Sequence, residues 1–138
     1  MRVKLPLALI VLAALLISGC KKSDTQPDYQ NESLVEVWIN PQYNDSIIEF
    51  DRAAFLPVNN YGLSLKADNS VVERKNKTWC GTPPVAYGDF AGNWSEQDDI
   101  VDMEVDFWGG RTHFRWQVLS IDNNQLRIKQ LLLEFVEE

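Results

Sequence analysis

From Val101 to Val118 the chain alternates between apolar and polar positions. Val101, Met103, Val105 and Phe107 are separated by Asp102, Glu104 and Asp106. Beyond Gly109-Gly110, Thr112, Phe114, Trp116 and Val118 alternate with Arg111, His113, Arg115 and Gln117. A period of two interrupted by glycines predicts a β-hairpin. A loop at Gly109-Gly110 pairs Trp108 with Arg111, and so sets Val105 against Phe114, Met103 against Trp116 and Val101 against Val118. The other face sets Glu104 against Arg115 and Asp106 against His113, matching acid with base in the same register.

The same reasoning extends along the chain. Leu34 to Ile39 is a β-rich run that Asn40-Pro41 should stop, and Ile47, Ile48 and Phe50 mark a second short strand. Asp51 to Leu56 is too short to distinguish a helical turn from a loop. Tyr61 to Lys66 and Val71 to Lys77 flank the turn Ala67-Asp68-Asn69-Ser70, a second hairpin. Cys80-Gly81-Thr82-Pro83-Pro84 predicts a rigid connection, because two prolines remove two ladder donors. Phe90 to Glu96 begins the next strand. Asp122 to Gln125 turns the chain so that Leu119 and Ile121 meet Ile128 and Leu126. Trp116 and Val118 are out of phase with Leu119 and Ile121, which predicts a β-bulge near Leu119. Leu131 to Phe135 either extends the last strand or plugs the domain. The sum is an all-β, up-and-down antiparallel barrel of about eight strands, since closure removes exposed edges; a two-sheet sandwich is the alternative.

The first residues do not belong to this pattern. Arg2 and Lys4 precede an apolar run from Leu5 to Ile17 that is shorter than the roughly 20 residues of a membrane span. It has the form of an export signal. Leu16-Ile17-Ser18-Gly19-Cys20 resembles the lipobox of bacterial lipoproteins, in which the cysteine thiol is acylated. The implied organisation is a signal peptide over 1–19, a lipidated Cys20 with a polar tether over 20–32, and one domain over 33–138. Cleavage leaves 119 of the 138 residues and removes Arg2 and Lys4, taking the formal charge from −7 to −9. An acidic domain of this kind is not a nucleic-acid binder. Acyl chains on Cys20 suffice for membrane attachment, at about 0.8 kcal/mol per buried methylene. Lys21, where an Asp would signal retention, resembles the sorting of Gram-negative cargo to the outer membrane; the domain is expected, independently of that residue, to face the periplasm.

Val37-Trp38, Tyr61-Gly62 with Glu73-Arg74-Lys75-Asn76, Trp79-Cys80-Gly81-Thr82-Pro83-Pro84 and Gly92-Asn93-Trp94, together with the lipobox, are similar to small bacterial lipoproteins with a lipocalin-like domain. The resemblance implies a calycin-type barrel with a cavity for a small apolar ligand or lipid. In lipocalins proper the Gly-x-Trp lies on the first strand; here it is mid-chain.

Candidate chemistry is sparse. His113, the single histidine, makes no zinc site with Cys80, because zinc takes three or four ligands. Asp98, Asp99, Asp102, Glu104 and Asp106 lack the glycine of a calcium loop, as Phe107 stands at its sixth position. No nucleophile, base and oxyanion donor assemble from these residues, so neither an enzymatic activity nor a cofactor is expected. The aromatic set supplies the ligand candidates Trp38, Trp94, Trp116 and Phe114, with Met103. Trp108, at the hairpin tip, is a candidate contact for a protein partner of unknown identity. Asp45-Ser46-Ile47 resembles a periplasmic O-glycosylation acceptor centred on Ser46. Two functions follow: a lipid-anchored carrier of a small apolar molecule, or an envelope structural or interaction protein with a filled barrel.

Overall fold

The computed structural model describes residues 33–78 and 81–138. The signal peptide, Cys20, the tether up to residue 32, and Trp79-Cys80 lie outside the described residues.

Eight strands form one closed antiparallel barrel: β1 (Val37–Asn44), β2 (Ile47–Ala53), β3 (Gly62–Leu65), β4 (Ser70–Asn76), β5 (Tyr87–Gln97), β6 (Ile100–Phe107), β7 (Gly110–Ile121) and β8 (Gln125–Glu137). The class, strand number and closure are those the alternation predicts. The order around the barrel departs from a strict up-and-down sequence in one place, because β3 pairs with β1 and β2 pairs with β8. The β2–β3 connection therefore crosses β1. It does so on the outer face, where the Leu56 and Pro57 carbonyls accept from Arg74 Nη1 at 3.3 and 2.9 Å. Gly62 leaves room for it, since a Cβ there would lie 2.8 Å from Leu56 Cδ2.

Several boundaries differ from the sequence expectation. β1 runs through Asn40-Pro41 instead of stopping there, because the ladder with β2 shifts register between Ile39 and Gln42. Asn40 takes a φ of 52° in that irregularity, so the proline occupies a place that needs no ladder donor. Asp51 to Ala53 belongs to β2, so no helical turn forms there. Leu131 to Phe135 extends β8. The bulge near Leu119 is present: the β7–β8 register shifts between Val118 and Ser120. Leu119 is the skipped residue, and Val118 meets Ile128 in its place.

The β6–β7 hairpin keeps the predicted faces but not the predicted pairs. Its turn is Trp108-Gly109, with Phe107 opposite Gly110, Val105 opposite Thr112, Met103 opposite Phe114 and Val101 opposite Trp116. Each β6 residue thus meets a partner two positions earlier than a Gly109-Gly110 loop gives. The cause is Gly110, which has φ 148° and passes so close to β8 that a Cβ would sit 2.0 Å from the Val136 carbonyl oxygen. The glycine is needed as the first residue of β7, so the turn falls one residue earlier. Acid still meets base in the new register, through Asp102 with Arg115 and Asp106 with Arg111.

The two ends of the barrel are unlike. At one end Trp38, Leu63, Leu65, Val71, Val101, Val118 and Leu126 are buried. Leu34 closes that end from below, accepting a 3.0 Å hydrogen bond from Trp38 Nε1. The Arg52 guanidinium lies 5.2 Å from the centre of the Trp38 ring and donates to the Asp122 carbonyl. At the opposite end β8 pairs with β2 only as far as Lys129, while β7 and β8 run on together to Gly110 and Glu137. Inward-facing Leu133 and Phe135 are there 43% and 64% exposed, lying on the stretch of β8 that has no β2 neighbour.

Candidate functional site

The open half of the barrel encloses a cavity of about 290 Å³. Its apolar surface comes from Ile48 and Phe50 on β2, Phe114 and Trp116 on β7, and Leu133 and Phe135 on β8. These residues project inward because strand parity puts every second side chain on the core face. Phe50 and Trp116 meet at 5.5 Å between ring centres, and Phe114 meets Trp116 edge-on at 6.1 Å.

The facing wall is polar. Along β4, Val71, Glu73 and Lys75 share the inward face, and Glu73 is 3% exposed. Its carboxylate accepts from the Tyr61 hydroxyl at 3.0 Å and from Lys75 Nζ at 2.5 Å. Lys75 Nζ also lies 5.0 Å from the Phe90 ring centre, an arrangement that holds the ammonium by ring quadrupole as well as by charge. Burial, reinforced by the Glu73 charge, holds the Tyr61 phenol well above its ordinary pKa. Tyr43, on the rim, is raised for the same two reasons. Both phenols are therefore protonated donors across the physiological range.

Two further polar atoms belong to residues that line the cavity. Thr112 Oγ1 and Trp116 Nε1 are buried and have no hydrogen-bond partner among the described residues. A buried polar group left in this state costs about 1–3 kcal/mol. A second hollow, of about 430 Å³, adjoins the cavity through Lys75, Thr112 and Phe135 and is otherwise bounded by Asn76, Phe107, Trp108 and Glu137. Together they make a pocket with an apolar floor, a polar side wall and an aromatic rim.

Of the five ligand candidates named from sequence, Phe114 and Trp116 line the cavity. Trp38 does not: it is fully buried at the closed end. Trp94, whose Nε1 donates to the Lys66 carbonyl at 2.9 Å, and Met103 are core residues beside an outer-face depression with Asp102, Glu104 and His113. Trp108 is 56% exposed in the β6–β7 turn, edge-on to Phe107. Ser46 is exposed in the β1–β2 turn at the rim, where its carbonyl accepts from Gln130 N. His113 faces Glu104 across the ladder and has Nε2 3.3 Å from Asp102, in place of the expected Asp106. Among the described residues no group of His, Cys, Asp and Glu is arranged to hold a metal ion.

Sequence reasoning missed Tyr61, Glu73 and Lys75. The signal was present, since Glu73 and Lys75 have the parity of buried Val71. No protein-family model matches the chain, and no curated protein or solved structure matches it either.

Proposed function

We propose that the protein is a lipid-anchored envelope lipoprotein whose barrel, lipocalin-like in kind, binds a small apolar ligand. The observation that carries this reading is the half-open interior. Phe50, Phe114, Trp116 and Leu133 surround about 290 Å³ in place of filling it. Native interiors are packed to crystal density, so a space of this size is a departure that a purely structural barrel has no use for. It lies at the lower end of the range of ligand pockets, about 300–1,000 Å³. The lipobox residues ending at Cys20 support attachment to a membrane, and Lys21 supports sorting to the outer membrane. Binding, rather than catalysis, suits a pocket whose buried carboxylate, Glu73, is engaged by Tyr61 and Lys75.

The test is native mass spectrometry of the mature lipoprotein extracted gently from its own envelope, before and after denaturation. A mass excess that vanishes on denaturation supports a carried ligand. A clean apo mass that persists after incubation with an envelope lipid extract defeats the carrier reading and favours a protein that works through its rim and Trp108.

A further inference from the structure

The cavity carries information about the head group of what it holds, an inference that rests on the binding function proposed above. We infer that the ligand is a small uncharged amphiphile, with a hydroxyl or carbonyl oxygen set against Lys75 and an apolar body against Phe50, Phe114 and Trp116.

The argument runs from both signs of charge. An anion entering the cavity meets Glu73, which is buried and already placed against Lys75, with Asp45 at the rim. Lys75 cannot neutralise a second carboxylate without giving up the first, and a buried carboxylate without its partner is strongly disfavoured. A cation gains from Asp45 at the rim but meets an obstacle of its own inside. The Glu73 oxygens are taken by Tyr61 and Lys75, and Lys75 Nζ occupies the place beside the Phe90 ring where a second ammonium would gain most. The ion pair thus leaves the pocket electrically closed to either sign.

Hydrogen-bonding capacity remains. Lys75 has three N–H donors, of which the Glu73 carboxylate takes one. The unmet need is for an acceptor, which a neutral oxygen supplies without charge. The size is consistent: about 290 Å³ is about ten times the volume of a water in the liquid, room for a short chain or a single ring. A longer tail continues into the adjoining hollow under Phe107 and Trp108.

The experiment uses the mature full-length protein in detergent and three probes of equal length, octan-1-ol, octanoate and octylammonium, at neutral pH, read by tryptophan fluorescence and native mass spectrometry. Octan-1-ol is expected to bind at least about tenfold more tightly than either ion, the equivalent of one pairing made or lost. An ion that binds within tenfold of the alcohol, or better, overturns the head-group inference while leaving the carrier function standing. Binding of none of the three overturns both. Two variants add a second arm. Glu73→Gln leaves Lys75 uncompensated and should raise octanoate relative to the alcohol, and Lys75→Met should do so for octylammonium. Unaltered rank order in variants that keep the wild-type circular dichroism also overturns the inference.

Discussion

Tyr61 donates its hydroxyl hydrogen to Glu73 at 3.0 Å inside the barrel, linking β4 to the residue that leads into β3. This bond holds the carboxylate against the wall and so fixes the shape of the cavity. Replacing Tyr61 by Phe should cost about 1.5–3 kcal/mol, the range for a hydrogen bond to a charged group. It should also change the alkaline limb. The Tyr61 phenol holds its proton more tightly in the folded protein than its ordinary value of 10.0, so its stabilising contribution is complete below that pH and is lost as pH rises beyond it. Urea midpoints measured from neutral to strongly alkaline pH should fall less steeply in Tyr61→Phe than in the wild type.

On the outer face the sign is reversed. Arg115, and after it His113, hold the Asp102 carboxyl below its ordinary value of 3.8. Stability from this group is present above that value and is lost as pH falls through the lower, folded one. Because the pair is partly exposed to solvent, Asp102→Asn should cost only about 0.5–1 kcal/mol at neutral pH. Denaturation at a series of pH values should show the wild type and the variant converging on acidification.

Gly92 stands on β5 opposite Val105 of β6. A Cβ at this position would lie 2.0 Å from the Glu104 carbonyl oxygen and 2.8 Å from Val105 Cα. Neither atom can yield without moving the backbone. Gly92→Ala should lower stability by about 3 kcal/mol or more, visible as a fall in the urea midpoint, whereas Ser95→Ala on the same strand should change it by less than about 0.5 kcal/mol.

Leu133 faces inward at the mouth and is 43% exposed. Leu133→Trp should fill the entrance with little change in stability, within about 0.5 kcal/mol. Fluorescence titration with octan-1-ol should then show at least a tenfold loss of affinity, and unimpaired binding would place the ligand elsewhere.

The acylation proposed at Cys20 would govern location and not the barrel. Metabolic labelling with an alkyne fatty acid should mark the wild type and not Cys20→Ser, which should leave the membrane fraction.

The β6–β7 hairpin shows both what alternation encodes and where it stops. A slip of two residues preserves every inward and outward side chain, so the faces of Met103 and Phe114 followed from parity. The pairs did not, because Glu104 and Asp106 find a base opposite in either register. Only the contact of Gly110 with Val136 selects one, and that contact is made across β8, far from the local pattern. β1 has a similar history: Pro41 is a strand breaker in isolation and is accommodated by an irregularity that its neighbours create. The cavity itself was half legible. Phe114 and Trp116 stand out as inward aromatics, whereas Glu73 and Lys75 have the composition of a solvated strand and the parity of a buried one. Which of the two governs depends on Phe90 and Tyr61, brought to the same wall by pairing that no single segment specifies.

Leu34 enters the barrel at the end that Trp38 seals, and the mouth lies at the other end. With the proposed anchor on Cys20, the chain would reach the barrel on its sealed side, opposite the opening. Cargo would then be exchanged through water with a soluble donor or acceptor, and the protein would behave as a moored receptacle more than as an extractor of lipid from the leaflet that holds it.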